Sequence, residues 1–416
     1  MDSSNHTGDS SSRRVMLAMG VLYVGFGVLA ALLQGGLPPV LRARGLSVAQ
    51  IGWTFALYLP IGLSFLWAPL VDRIRLPFLS PRISWIVLAQ LAAVAGLISV
   101  AMLEHAPMAL LFGLGLLVAV AAATMDLALD ALAVELTNAQ RKPMAASLKL
   151  AALALGSMIG GGVFVAVLGR MGWQFTFLCV AALMLLSLVP VLGLVKQEGH
   201  HSAGSQSQEK HWFACLRQAH MRRYLLLLVV CAGVIFPLSA LNRVMLVDIQ
   251  VPMEHIAWLV GSLQPIGLMV IALLATPLIR SWGHRATLAL LTLAGVLCAG
   301  LLIAGYLQGW QTVAIVGTVG MSTVVGGLMV VYSALILRWS EGPQAATNYA
   351  VLFCGTRLSG IVMSVLAGKL VSTMSWPVFY SASMAALILS SLWMLKRLQS
   401  EREATSLARI QKTNTL

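Results

Sequence analysis

Four ionisable residues in otherwise apolar sequence are the first candidates for chemistry. Asp126, Asp130, Glu135 and Lys149 lie within residues 124–162, a stretch that otherwise resembles two hydrocarbon-spanning segments. A charge at the centre of a bilayer costs about 2.5–3.5 kcal/mol on insertion scales, so such residues usually face a protein interior or a water-filled cavity. A carboxyl group in such surroundings can exchange a proton near neutral pH, which is the chemistry needed for proton coupling.

Helical spacing predicts which of these residues act together. Asp126 and Asp130 are four residues apart and share one helix face, whereas Glu135 is turned away from it. A turn near Ala139–Gln140 would put Asp130 and Lys149 at equal distances from the turn, so we expect them to face each other. They form either a structural ion pair that locks the hairpin or part of a coupling site. Asp126 has no partner nearby in the sequence and is the better candidate for carrying a proton or controlling a gate.

The composition identifies the elements that must hold these residues. Of 416 residues, 59% are hydrophobic and 10% are charged, against about 45–50% and about 25% in soluble domains. The chain is therefore a multi-pass membrane protein. A spanning helix needs about 20 apolar residues. Twelve segments meet this requirement: 15–37, 48–71, 83–103, 107–136, 144–168, 172–195, 223–246, 255–279, 287–307, 310–337, 345–371 and 376–395.

A polar break separates the sixth span from the seventh. Its Gly, Ser and Gln content favours a flexible linker. We predict an N-terminal six-helix bundle over 1–195, a cytoplasmic linker over 196–222, a C-terminal six-helix bundle over 223–396 and a cytoplasmic tail over 397–416. The fold class is all-α, with twelve transmembrane helices in two pseudo-symmetric bundles.

The distribution of basic residues predicts the orientation. With the N-terminus inside, 20 of the 27 lysines and arginines fall in cytoplasmic segments, two lie within spans and five lie outside. Cytoplasmic loops carry such an excess, so both termini are expected in the cytoplasm. The same rule explains the net charge of +13 without a nucleic-acid partner.

The two halves repeat one another in sequence. Ile51–Leu63 reads IGWTFALYLPIGL and Ile256–Leu268 reads IAWLVGSLQPIGL, with Ile, Trp, Pro, Ile, Gly and Leu at matching positions. PMAAS at Pro143–Ser147 is matched by PQAAT at Pro343–Thr347. Parallel repeats of six spans are found in secondary transporters.

Local motifs add a resemblance to the major facilitator superfamily. Phe65–Arg73 reads FLWAPLVDR, where that superfamily carries a GxxxD(R/K)xG(R/K) loop; Asp72 and Arg73 are kept, but Ala68 replaces the first Gly. TMDLALDA, followed by RKPMAAS and GSMIGGG, resembles the branch of muropeptide permeases and acetyl-coenzyme A transporters. Within that branch the chain is most similar to siderophore permeases of the rhizobactin and pyochelin type (RhtX/FptX-type).

This resemblance implies proton-driven import of an iron–siderophore complex, similar to ferric pyochelin, across the bacterial inner membrane. Import of a muropeptide or another amphipathic anion is an alternative, as is export of a drug or of the free siderophore. The expected partners are a small-molecule substrate, protons and the lipid bilayer, and we expect a monomer.

Residues of the second half are candidates for substrate binding. Arg357 lies about twelve residues into its span, near the bilayer midplane. It would bind a carboxylate or phenolate, pair with Asp126, or contact backbone carbonyls freed around the neighbouring glycines. Asn242 and Arg243 follow Pro237 near the end of the seventh span, where they would line an outer mouth or lie at the membrane interface.

Other polar groups at membrane depth are Tyr23, Gln34, Gln264 and Tyr332. Each would line a substrate cavity or form an interhelical hydrogen bond. Asp72, Arg73 and Glu135 are expected to contribute to coupling or gating, although Arg73 could serve only as a topology signal.

The sequence contains little that indicates an enzyme. The eight histidines lie in loops or at span ends, without the His or Glu spacing of a helical metal site, and the five cysteines lack metal-ligand spacing. The nucleotide-binding pattern GxxxxGK[ST] is absent. We therefore expect no metal, no cofactor and no direct use of ATP.

Overall fold

The computed structural model describes residues 3–74, 76, 79–136, 142–195, 218–341 and 345–414. Within these ranges all regular secondary structure is helical. The side chain of Asp72, one of the predicted gating residues, lies outside the described part.

In the described residues, ten α-helices precede residue 196. They are α1 (Ser3–Ala31), α2 (Leu37–Ala43), α3 (Val48–Thr54), α4 (Leu59–Leu63), α5 (Ala68–Arg73), α6 (Pro81–Met102), α7 (Met108–Leu136), α8 (Lys142–Met158), α9 (Phe164–Met171) and α10 (Trp173–Leu192). Seven follow from residue 219: α11 (Ala219–Ala240), α12 (Asn242–Asp248), α13 (Met253–His255), α14 (Gly261–Gln308), α15 (Gln311–Trp339), α16 (Ala345–Thr373) and α17 (Trp376–Asn414).

The helices confirm the predicted all-α membrane fold. Ten helical stretches of the described residues are long and apolar enough to cross a membrane. One of them, Met253–Gln308, contains two predicted spans and bends at Gly283, where φ is 79°. All twelve predicted spans fall on helical sequence.

The predicted second span is the least regular. It begins with a capping box, in which the Ser47 hydroxyl accepts the Gln50 N–H and the Gln50 amide oxygen accepts the Ser47 N–H. It is then divided among α3, α4 and α5 by two short 3₁₀ segments. Pro60 and Pro69 lie in the first turns of α4 and α5, because a proline cannot donate the backbone hydrogen bond of a continuous helix.

Contacts divide the chain into two compact units. The first comprises Met1–Glu209 together with Gln250–Met269, and the second comprises Lys210–Ile249 together with Val270–Leu416. The segment Gln250–Met269 therefore groups with the first unit, although it follows the predicted linker. The predicted bounds of the two six-helix bundles stay a prediction.

Three π-helical turns meet in the first unit. They are Leu32–Gly36 after α1, Ile159–Val163 after α8 and Ile256–Val260 after α13. Glycines allow this approach, since a Cβ at Gly160 would overlap the carbonyl oxygen of Val28, and one at Gly36 would lie 2.6 Å from the carbonyl oxygen of Gly160. Single π-turns inside α-helices are frequent at functional sites.

In the second unit, α11 and α16 pack closely. The Ser359 hydroxyl donates a 2.6 Å hydrogen bond to the carbonyl oxygen of Val229. Gly355 and Gly360 lie against Leu225 and Phe236 of α11. These contacts fix the rotation of α16 and therefore the direction in which Arg357 projects.

The contact at Gly160 can be tested by a single substitution. Gly160→Val should lower the apparent melting temperature of the detergent-purified protein, because overpacking a close contact typically costs about 1–3 kcal/mol. The measurement is the monodisperse fraction in size-exclusion chromatography after heating.

Gly169→Val is the matched control. Gly169 lies in α9, and a Cβ there would meet no heavy atom within 4 Å. This variant should melt close to the parent protein. Equal melting of both variants would mean that the approach of α1 to α8 does not limit stability.

Candidate functional site

A charged cluster joins three helices of the first unit. The Lys149 Nζ atom on α8 lies 2.5 and 2.7 Å from the two carboxylate oxygens of Asp130 on α7. It also lies 3.6 Å from Oδ1 of Asp126, one turn away on α7. The Tyr23 hydroxyl on α1 donates a 2.7 Å hydrogen bond to Asp130. The Lys149 Nζ atom lies 4.9 Å from the centre of the Tyr23 ring.

The expected approach of Asp130 and Lys149 is therefore observed, while their role in coupling stays a prediction. The sequence suggested no nearby partner for Asp126. In the structure Lys149 lies within 4 Å of Asp126 as well as of Asp130. The reason is that the two carboxylates share one helix face, and the flexible lysine side chain can bring one ammonium group near both. Tyr23 was expected to line a cavity or to form an interhelical hydrogen bond. The bond from its hydroxyl to Asp130 is of the second kind.

The side chains of the cluster are partly exposed. The exposed fractions are 24% for Asp126, 28% for Lys149 and 46% for Asp130, so solvent reaches all three. With both carboxylates ionised, the two aspartates and the lysine carry a net charge of −1, and one added proton makes them neutral.

Glu135 and Arg73 lie apart from this cluster. Glu135 accepts a 3.1 Å hydrogen bond from the Arg82 guanidinium group. This contact joins the end of α7 to the first turn of α6. That geometry is an interhelical ion pair. Arg73 is exposed at the end of α5. Their roles in gating stay predictions.

In the second unit, Arg357 lies beside aromatic rings. The Tyr349 and Phe353 rings of α16 stack with their centres 5.5 Å apart and their planes 12° apart. The guanidinium carbon of Arg357 lies 5.1 Å from the centre of the Phe353 ring. Among the described residues, neither a carboxylate within 4 Å nor a hydrogen-bonded backbone carbonyl accompanies Arg357. The interpretation of Arg357 as a partner of backbone carbonyls is therefore not observed there.

Asn242 and Arg243 are more deeply buried than expected. The helix is interrupted at Leu241 after Pro237, and α12 begins at Asn242. Asn242 is fully buried and accepts a 2.8 Å hydrogen bond from the Tyr380 hydroxyl of α17, and Arg243 is only 7% exposed. They were expected at an outer mouth or at the interface. Whether they bind substrate stays a prediction.

The remaining polar candidates differ in burial. Gln34 is exposed within the first π-turn, whereas Gln264 and Tyr332 are buried. Burial favours a packing role for Gln264 and Tyr332. Sequence reasoning missed Tyr349 and Phe353, although their spacing of four residues from each other and from Arg357 is visible in the sequence.

No group of three or more His, Cys, Asp or Glu side chains within the described residues is arranged to hold a metal ion. The candidates thus form two groups on apolar helices: in the first unit two carboxylates around Lys149, and in the second unit Arg357, which has no carboxylate of the described residues within 4 Å. These features are those of a multi-pass membrane transporter.

Comparison with known proteins identifies the family. Residues 15–249 match the Major Facilitator Superfamily, and the chain belongs to it. The anhydromuropeptide permease of Escherichia coli K12 is 22% identical over 379 residues, which cover 88% of this chain and 77% of that protein. An uncharacterised protein of Haemophilus influenzae is 30% identical over 195 residues, which span only 46% of its length. The predicted resemblance to this superfamily and its muropeptide permease branch is confirmed.

Solved structures show the same fold. The nucleoside transporter NupG aligns with a TM-score of 0.72 at 13% identity, covering 92% of this chain and 98% of that one. A POT family transporter in complex with 5-aminolevulinic acid aligns with a TM-score of 0.74 at 13% identity, covering 93% and 95%.

The charged cluster generates a stability prediction. Lys149→Met leaves two neighbouring carboxylates without their cation and should lower the melting temperature more than the double variant Lys149→Met/Asp130→Asn does. A double-mutant cycle on the purified protein should give a coupling of about 1–3 kcal/mol.

The pair Arg170–Glu254, at 3.1 Å and with side chains 71% and 65% exposed, is the control. Its cycle should give less than about 1 kcal/mol, because solvent screens exposed ion pairs. Equal coupling in the two cycles would contradict a stabilising role for the Lys149 cluster.

Proposed function

We propose that this protein imports an anionic, ring-bearing solute across the bacterial inner membrane in symport with protons, and that the solute is a muropeptide. Both termini are proposed to be cytoplasmic. The observation that carries the proposal is Arg357, an arginine on an apolar helix with an aromatic neighbour and no carboxylate within 4 Å in the described part. Intramembrane arginines usually mark substrate or ion pathways. An anionic substrate would supply the missing partner.

The choice of a muropeptide rests on the similarity to the anhydromuropeptide permease of E. coli. Muropeptides combine amino-sugar rings with peptide carboxylates. Such molecules fit an arginine next to aromatic rings, because guanidinium groups bind carboxylates in a bidentate manner.

A ferric siderophore of the pyochelin type is the second candidate. It is favoured by the predicted core of twelve spans, which resembles that of siderophore permeases. A phenolate or carboxylate of the chelate would be the anion at Arg357.

The coupling step is assigned to Asp126 and Asp130. A proton added to their cluster removes its net negative charge and weakens the attraction for Lys149. A ligand or proton shifts a conformational equilibrium only through different affinities for the two states. We infer that the cluster binds its proton more tightly in one of the two alternating conformations.

Substitution of Asp126 tests this coupling. Asp126→Asn should abolish accumulation against a gradient in proteoliposomes with an imposed pH difference, yet leave exchange of labelled substrate partly intact. Glu254→Gln, an exposed carboxylate of the same unit, should accumulate substrate like the parent protein. Full accumulation by Asp126→Asn would refute the coupling role.

Uptake into spheroplasts, with and without the chain, tests the substrate. Labelled anhydromuropeptide and radioiron supplied as ferric pyochelin are compared in parallel, with an uncoupler as control. We expect chain-dependent, uncoupler-sensitive accumulation of the muropeptide, reduced in Arg357→Lys because the lysine keeps the charge but loses the bidentate geometry. Accumulation of iron alone would favour the siderophore candidate. Accumulation of neither, at normal membrane expression, would overturn the proposed import.

A further inference from the structure

Tyr349, Phe353 and Arg357 form a continuous ladder on α16. They are spaced four residues apart, so they follow one side of the helix over about 12 Å. The rings of Tyr349 and Phe353 are nearly parallel, and the guanidinium lies next to the second ring. All three residues are half-buried.

The ladder lies at the edge of the face by which α16 packs on α11. Gly360, which lies against Phe236 of α11, is three residues from Arg357 and about 60° around the helix from it. Ser359, which bonds to Val229 of α11, is about 160° around the helix from Arg357. The exposed apolar residue Leu366 is about 180° around the helix, so Arg357 projects away from it.

The chemistry of the ladder defines two neighbouring binding functions. The guanidinium group has five N–H donors in a planar fork, and none is used in a hydrogen bond within the described part of the chain. Stacking on Phe353 holds this fork in one orientation, which favours a bidentate carboxylate. The two rings beside it offer faces and edges for a flat aromatic ring or the C–H face of a sugar ring.

We propose that Tyr349, Phe353 and Arg357 form the specificity subsite for a ligand in which a carboxylate is joined to a neighbouring ring. This inference rests on the proposed import function and adds the recognised fragment to it. The carboxylate is required, and Arg357 binds it. Phe353 and Tyr349 bind the ring by stacking, and stacking accepts either an aromatic or a sugar ring.

Fragment binding to the full-length purified protein tests the subsite without transport. The probes are N-acetylmuramic acid and salicylate, each compared with its primary amide, and the readout is thermal stabilisation as a function of probe concentration. In the parent protein each acid should bind about tenfold or more tightly than its amide, as expected for a hydrogen bond to a charged group.

The variants separate the two functions. Arg357→Gln should bind acid and amide equally weakly. Phe353→Leu should weaken both by a similar factor and keep their ratio. Phe175→Leu, an exposed aromatic residue of α10, should match the parent protein. Preference of one acid over the other identifies whether a sugar or an aromatic ring is recognised.

Three results would overturn the subsite: no difference between acid and amide in the parent protein, a preserved difference in Arg357→Gln, or parent-like binding in Phe353→Leu. Failure of the import function is distinguishable from these results. Arg357-dependent fragment binding without uptake of either whole substrate would retain the subsite and reject the proposed function. Uptake without Arg357-dependent fragment binding would retain the proposed function and reject the subsite.

Discussion

The high free energy of a charge in surroundings of low dielectric constant is the constraint on which the site depends. In the first unit the charges compensate one another within the protein. Lys149 lies within 4 Å of both Asp126 and Asp130, and the Tyr23 hydroxyl donates a hydrogen bond to Asp130. In the second unit Arg357 has an aromatic neighbour, and no carboxylate of the described chain lies within 4 Å of it. The charges of the first group are therefore largely balanced by one another, whereas Arg357 has no such partner among the described residues.

Backbone packing determines whether the first arrangement can form. Tyr23 reaches Asp130 only because α1 and α8 approach closely, with Gly156 and Gly160 against the backbone of Val24 and Val28. A side chain at either glycine would push α1 outward and lengthen the Tyr23 hydrogen bond. The glycine cluster, which reads in sequence as a packing motif, thus positions a member of the charged cluster that lies on another helix.

Much of this organisation follows from sequence, because its causes are local. Runs of about 20 apolar residues predict spans, and the equal distances of Asp130 and Lys149 from a turn predict their pairing. The π-turns and the division of the second span were not predicted, since each depends on which neighbour a backbone segment meets. The bend at Gly283, in contrast, falls between two predicted spans. The shared position of Lys149 between two carboxylates and the burial of Arg243 depend on side-chain reach and on an interrupted helix, which apolar periodicity does not encode.

The two kinds of charge are suited to different tasks in the proposed cycle. An arginine keeps its proton at any physiological pH, so Arg357 can bind an anion but cannot carry the coupling proton. The aspartates next to Lys149 can carry one. Their cooperation has an electrostatic reason, because a membrane potential that is negative inside opposes entry of an anion by about 2.3 kcal/mol per charge per 100 mV. A monoanion that enters with one proton moves no net charge and escapes this penalty. A dianion with one proton would still move one negative charge inward, so the charge of the substrate sets the number of protons that the carboxylate cluster must supply.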